Sequence, residues 1–209
     1  NKYLMIGNIA NFFLDELMNN PDLPFRDAFK DTFSNNPLQY GLFDDREVKE
    51  IMQKSQKHFI HLKQMVKTGF REQGIEPENC YLEPSFYAEA YGLQGRLDLL
   101  HLGAEKASIV ELKSGSPFMP NIYGLSANHF TQTLLYDLMV RAAFGNSVDP
   151  ANYILYSGQE ERQLRYAPRI QSQQYEALQV RNQLVAIERL LAKLGDPDAG
   201  GLLEQGNRL

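Results

Sequence analysis

Cysteine is almost absent: Cys80 is the single thiol in 209 residues. One thiol makes no intrachain disulfide and cannot supply a four-cysteine zinc or iron–sulfur site, so it reads as a buried or incidental thiol. Long hydrophobic runs are missing too. Those present are only a few residues long, such as Ile9-Ala10, Phe12-Phe13-Leu14 and Leu134-Leu135, far short of the roughly 20 apolar residues of a membrane span. No signal-peptide pattern opens the chain, and the expectation is a cytoplasmic protein with no membrane partner. Surplus positive charge is also lacking, with a formal net charge of −5, which argues against a general nucleic-acid coat. A local basic element survives that argument. Residues 46–73 carry seven Lys or Arg against three Glu, a net +4 that leaves −9 for the remainder.

What is present suits one ample domain. The length permits a proper core but cramps a second one, and 43% hydrophobic with 22% charged residues is ordinary for a globular protein. Ile6, Ile9, Ala10, Phe13 and Leu17 recur at helical spacing and predict a helix over 5–19. Pro21 and Pro24 end it, and a short helix near 24–34 follows. After a loop through Asn35-Asn36-Pro37 comes the longest predicted helix, 45–72, with Val48, Met52, Ser55, Phe59, Leu62, Val66 and Phe70 as its buried stripe. Gly74 and Pro77 stop it. The texture then turns to aromatics, β-branched residues and alternation, predicting strands near 81–90, 95–102 and 107–113 in an antiparallel meander. A helix over 127–144, strands near 152–157 and 162–167, and a final helix over 171–194 complete the order. That last helix is expected to bury Val180, Leu184, Ile187, Leu191 and Leu194. The fold class is therefore α/β, a central mixed β-sheet flanked by helices behind an N-terminal helical part. We expect a single domain over 1–195, helical in 1–78 and sheet-based in 79–195, with 196–209 a tail or linker of a larger protein.

The informative chemistry lies in Gly95-Arg96-Leu97-Asp98 and Ile109-Val110-Glu111-Leu112-Lys113. Residues two apart on a strand share a face, so Glu111 and Lys113 project together while Val110 and Leu112 enter the core. A hairpin turning near Gly103 brings Asp98 beside Glu111, gathering two carboxylates and an ammonium at a sheet edge. Cleaving a phosphodiester requires neutralising phosphate charge and making hydroxide near neutral pH, and Mg²⁺ or Mn²⁺ on hard oxygen ligands does both. Asp98 and Glu111, with the carbonyl of Leu112, would hold the ion, and Lys113 would orient the attacking water. On the next helix His129, Gln132 and Tyr136 share one face.

Taken together, G-R-x-D, V-E-L-K and Q-x-x-x-Y resemble the RecB-type branch of the P-D-(D/E)-x-K nucleases, whose core is restriction-endonuclease-like. Tyr91-Gly92-Leu93-Gln94-Gly95-Arg96-Leu97-Asp98, Glu111-Leu112-Lys113-Ser114-Gly115 and His129-Phe130-Thr131-Gln132 with Leu135-Tyr136 are similar to the nuclease domain of flap-trimming replication helicase–nucleases. So are Tyr153-Ile154-Leu155-Tyr156-Ser157-Gly158 and the segment around Arg181. The resemblance covers about 80–190 well and 5–20 weakly. It implies a metal-dependent deoxyribonuclease, an exonuclease or flap endonuclease of DNA repair, replication or recombination acting on single-stranded DNA, with a helicase module as companion. It makes Asp98, Glu111, Lys113, Gln132 and Tyr136 the catalytic set. Arg96, His129, Arg181, Lys54 and Lys57 become substrate contacts, and Glu83 a secondary candidate that touches metal or water or is an ordinary strand-edge Glu. For Arg181 and Asn182 a DNA contact and a brace for the sheet both stand, and a row of Lys54, Lys57 and His61 is a strand-binding groove or a solvated charged face.

Two departures from the family pattern matter. RecB-type nucleases place a metal-binding His on the first helix in G-x-x-x-H, and here Gly7-Asn8-Ile9-Ala10-Asn11 puts Asn11 there. A carboxamide oxygen reaches Mg²⁺ directly or through water but is a weaker ligand for Mn²⁺. Relatives with an iron–sulfur cluster use four cysteines, so this chain would be a cluster-free version. Two readings compete with an active nuclease. One is a catalytically weakened DNA-binding or structural module on the same fold. The other is an unrelated interaction domain, in which Asp98, Glu111, Lys113 and Gln132 would not converge.

Overall fold

A computed structural model describes residues 1–194. The chain falls into two compact units, Asn1–Arg169 and Ile170–Leu209. The expected 196–209 tail lies outside the described residues.

In the first unit, α1 (Lys2–Asn19) starts at Asn1, whose side chain accepts a hydrogen bond from the Tyr3 amide. Its buried face is Met5, Ile6, Ile9, Ala10, Phe13, Leu14 and Leu17. Following Pro24, α2 (Phe25–Asn35) leads into a single turn, α3 (Pro37–Tyr40). That turn replaces the loop expected at Asn36-Pro37, because Pro suits the first helical position. Tyr40 then stacks on Phe33 at 3.8 Å and hydrogen-bonds Thr32 at 2.5 Å. α4 (Asp45–Gln64) is opened by a capping box of Asp44 and Glu47. It runs through a π-helical turn at Met65–Gly69 into α5 (Phe70–Glu72), and these three pieces fill the predicted 45–72. The buried stripe is rotated from the expected one. Ile51 and His58 are buried and Met52 is exposed, since α4 packs along α1 and turns the 51–55–58–62 row toward it.

The expected three-strand meander is corrected by two breaks. β1 (Cys80–Leu82) stops at Glu83, whose φ of 50° lies outside the strand region. The chain then forms a separate hairpin, β2 (Ser85–Ala88) with β3 (Leu93–Arg96), closed by Gly92 at φ 56°. A bend at Asp98 precedes β4 (Leu99–Leu102), so Asp98 stands at the mouth of that strand, off its ladder. β5 (Ala107–Lys113) follows the Gly103–Lys106 turn, β6 (Pro150–Tyr156) lies parallel to it, and β7 (Leu164–Ala167) closes the row. The five-stranded sheet runs β1-β4-β5-β6-β7 with only the β5–β6 pair parallel. The parallel pair needs a crossover, and α6 (Ala127–Phe144) supplies it. β5 is thus the central strand, and the cluster expected at a sheet edge sits instead at the C-terminal end of the middle of the sheet.

Alternation on β5 decides which side is which. Val110 and Leu112 join the core cluster of α1 and α4, together with Leu99, Tyr153 and Leu155. Glu111 and Lys113 point the other way, toward the side where α6 packs on β5 and β6. Cys80 is half-buried at the start of β1 and donates its S–H to the Glu76 carbonyl. The second unit is α7 (Gln171–Leu194). Of the stripe expected to be buried on it, Val180, Leu184, Ile187 and Leu191 are exposed, and the Leu194 side chain lies outside what is described; helical spacing marked a face there without saying what covers it. No helix among the described residues is long and apolar enough to cross a membrane.

Candidate active site

Glu111 is 5% exposed, although it is a carboxylate on the middle strand. Its Oε1 accepts from Lys113 Nζ at 3.0 Å, while its Oε2 is buried with no hydrogen-bond donor. The Asp98 carboxylate lies close enough for its charge to act on that of Glu111. Asp98 is pinned from behind, because its Oδ2 accepts from the Leu112 amide at 2.7 Å. Its own carbonyl accepts from the Glu83 amide at 3.0 Å. One peptide of β5 therefore fixes Asp98 against the residue before it, and the two breaks at Glu83 and Asp98 make room for this contact.

Burial pushes the Glu111 carboxyl up to about 7, and the neighbouring Asp98 charge adds to the rise. Burial raises Asp98 as well, against the lowering effect of the Leu112 N–H and of Lys113. Two carboxylates facing each other with an undonated oxygen need a shared proton or a cation. Among the described residues no group of three or more His, Cys, Asp or Glu gathers to hold a metal ion. The donor set is thus two hard carboxylate groups, Asp98 at the bend before β4 and Glu111 on β5, which fits a small hard cation that keeps much of its water.

Around this pair the other sequence candidates fall into three sets. Tyr136 is held near both carboxylates: burial first, then the charges of Glu111 and Asp98, raise its hydroxyl. Gln132 Nε2 donates to that hydroxyl at 2.8 Å. Tyr136 also lies over Gly95, where an added Cβ would come within 3.2 Å of the ring. His129 hydrogen-bonds the Tyr156 hydroxyl at 2.9 Å, and burial and then the Lys113 charge keep its ring below the usual histidine range. Arg96 and Glu83 form an ion pair at 3.5 Å on the exposed rim. Lys54 and Lys57 lie apart from the carboxylates, on α4 beside the turn after Lys113. Arg181 belongs to the second unit, on α7.

Residues the sequence reading missed complete the picture. Asp15 on α1 is half-buried, and its carboxyl is pushed up to about 7 by burial and then by the charges of Glu83 and Asp98. Gly7, two turns earlier, approaches Ser114 so closely that a Cβ there would meet Ser114 Oγ at 3.3 Å. Residues 7, 11 and 15 share a helix face, so Asn11 lies on the row of α1 that runs from Gly7, beside Ser114, to Asp15. The i+4 spacing from Asn11 was the available signal for Asp15. Ser157 was the other omission. Its amide donates to the Lys113 carbonyl at 3.0 Å, and His58 and His61 of α4 bond its hydroxyl at 2.9 Å and its carbonyl at 2.8 Å. Burial, then His61 and Lys57, lower His58 to about 4, so near neutral pH it is an uncharged clamp on the strand end that carries Lys113.

The raised carboxyls set a pH dependence. A carboxyl whose folded pKa lies above its unfolded value binds more protons in the fold, so its contribution to stability is lost as pH rises from about 4.3 toward the folded pKa. With Glu111 at about 7, metal-free wild type should lose stability relative to Glu111→Gln as pH climbs through that window. Thermal midpoints of both proteins in chelator, read from pH 4.5 to 8, check this. A constant gap between them would mean that Glu111 is not strained by burial. Added Mg²⁺ should narrow the gap at the high end, because a cation competes with the protons.

A family model described as the PD-(D/E)XK nuclease superfamily matches residues 14–200. No curated protein matches the chain.

Proposed function

The chain belongs to the PD-(D/E)XK nuclease superfamily, and from that premise we propose that it is a divalent-metal-dependent deoxyribonuclease of the RecB type. Its proposed substrate is single-stranded DNA, as ends or flaps, in repair, replication or recombination, with a helicase module in the same or a partner chain. The observation that carries the reading is the buried Glu111 carboxylate beside the Asp98 charge, its Oε2 undonated and its Oε1 3.0 Å from Lys113 Nζ. Asp98 and Glu111 would hold Mg²⁺ or Mn²⁺, with the Leu112 carbonyl beside them and Asn11 and Asp15 reaching it through water. Bound there, the ion supplies charge neutralisation at the phosphate and a readily ionised water.

The chain's own residues do the rest. Lys113 orients the attacking water and offers positive charge where the phosphate oxygens gain negative charge. The Glu111 contact holds the Lys113 amine in place, and the Ser157 bond to its carbonyl fixes the backbone under it. Tyr136, steadied by Gln132, borders the cluster on the α6 side and positions the substrate there. Arg96 on the rim and His129 near Lys113 contact the strand beside the scissile bond. Arg181 is a further proposed strand contact.

The test is cleavage of end-labelled single-stranded DNA in Mg²⁺ and in Mn²⁺, with duplex DNA and single-stranded RNA alongside. Metal-dependent cleavage of the DNA strand supports the reading, and none in either metal sinks it. Asn11 favours a second reading, a weakened module that binds DNA without cutting it. Asn11→His separates the two. Imidazole takes Mn²⁺ more readily than a carboxamide does, so in an active enzyme the change should raise Mn²⁺ affinity and Mn²⁺-dependent cleavage several-fold. Activity arising from none would show a decayed nuclease. If neither quantity moves, Asn11 does not face the ion.

A further inference from the structure

Just past the catalytic strand, the turn Ser114-Gly115-Ser116 forms one wall of a cavity of about 310 Å³. Lys54 and Lys57 of α4 and Tyr3 of α1 line it from the helical side, and Gly158 lines it beside the turn. The walls are tightly built. A Cβ at Gly158 would stand 2.9 Å from the Ser114 carbonyl, and Ser116 Oγ is held by Gln159 at 2.9 Å. The floor is therefore fixed to the strand end that carries Lys113. The two lysines face it from residues 46–73, a basic stretch of an acidic chain. Tyr3 is 78% exposed, and Lys54 Nζ lies 5.8 Å from its ring.

We propose that this cavity holds the phosphate-bearing nucleotide of the cleaved strand next to the scissile one, its phosphate on Lys54 and Lys57 and its base on Tyr3. This rests on the nuclease reading above. Cationic side chains beside an exposed aromatic ring are the elements that bind single strands without reading sequence, since every base has a face to stack and every nucleotide a phosphate. Lys54 pairs with Glu50 at 2.8 Å and Lys57 with Glu160 at 2.5 Å, but all four side chains are between 43% and 73% exposed. Exposed pairs of this kind contribute little to stability, so a phosphate can replace the carboxylates. The two Ser hydroxyls of the turn add neutral donors on the opposite wall. Ser114 in the cavity wall immediately follows Lys113 in the chain, which ties the cavity to the C-terminal end of β5.

The experiment reads binding apart from cleavage. Asp98→Asn protein in chelator is titrated with a fluorescent single-stranded thymidine oligonucleotide over a range of salt. The same is done after adding Lys54→Ala and Lys57→Ala together, Tyr3→Ala, Tyr3→Phe, or Lys67→Ala, which removes a lysine paired with Asp22 farther along the same basic stretch. Losing two phosphate contacts should weaken binding at least about tenfold and flatten the slope of log K against log salt by roughly 1.4, about 0.7 per phosphate. Tyr3→Ala should weaken it roughly tenfold while Tyr3→Phe retains the affinity, and Lys67→Ala should match its parent. In the otherwise native chain the lysine pair should raise KM with little change in kcat. Unchanged affinity and salt slope in the double variant overturn the cavity's role, and metal-dependent cleavage by the native chain would then leave the nuclease reading standing. Strand binding that depends on the lysines, without cleavage in either metal, would instead support the cavity and overturn the nuclease reading.

Discussion

Glu111→Gln and Asp98→Asn should each lower metal-dependent cleavage at least about a thousandfold while the protein stays folded. Each variant keeps its volume and loses a negative charge, so what is removed is affinity for a cation and the transition-state charge stabilisation that comes with it. Several kcal/mol of such stabilisation is at stake, and each 1.36 kcal/mol is a factor of ten in rate. The stability outcome should run the other way. Glu111 Oε2 is buried without a donor and the carboxyl carries the repulsion of the Asp98 charge, so in chelator the carboxylate is a cost to the fold that Gln relieves. Asp98→Asn is a finer case. Its Oδ2 takes the Leu112 amide at 2.7 Å, and Asn keeps that bond only if its oxygen faces the peptide. Single-turnover rates in Mg²⁺ with circular-dichroism melts in chelator give both readouts. Wild-type cleavage by either variant would remove the carboxylate pair from the chemistry. Collapse of both folds would recast the pair as structural.

What the sequence showed of this site follows from how local the responsible physics is. Glu111 and Lys113 are two apart on a strand, and a period of two puts them on one face whatever the sheet does around them. The helical face of Gln132 and Tyr136 is equally local, and it survives as a 2.8 Å hydrogen bond. The strand breaks were harder to see. Nothing in the alternation of 81–90 says that Glu83 adopts φ 50°, because the reason is distant: its amide bonds the Asp98 carbonyl fifteen residues on. Nor does periodicity give sheet order, so the cluster expected at a sheet edge belongs instead to β5, the central strand. Asp15 carries no motif. It matters only because α1 lies across the end of the sheet, which shows in the Gly7–Ser114 approach and in the charges that act on its carboxyl. On α7 the apolar spacing was real, yet Val180, Leu184, Ile187 and Leu191 are exposed, since amphipathicity marks a face and not its partner.

Phe13→Ala should be the most damaging single change in the helical part, because Phe13 holds the helix that presents Asn11 and Asp15. Its side chain is fully buried, with edge contacts to Phe25 at 6.0 Å and Phe59 at 5.1 Å. Emptying such a site removes the ring's burial and leaves a cavity, about 3–5 kcal/mol for Phe to Ala. That is a large part of the roughly 5–15 kcal/mol that holds a domain together. Phe13→Leu keeps most of the volume and should cost clearly less. With a urea dependence of about 2–3 kcal/mol per molar, the alanine variant's midpoint should fall by roughly 1–2 M. The functional consequence is more specific than lost stability. Buried residues of α1 lie on one side of the helix and the 7–11–15 row borders them, so loosening the anchor shifts Asn11 and Asp15 against carboxylates fixed by β5. Cleavage measured where the variant is still folded should therefore fall further than its folded fraction does, and excess Mn²⁺ should recover part of the loss. A midpoint equal to wild type would mean that α1 is not held through Phe13. A reduced midpoint with the full wild-type rate per folded molecule would mean that α1 is stapled to the core but takes no part in the chemistry, and would withdraw Asn11 and Asp15 from the site.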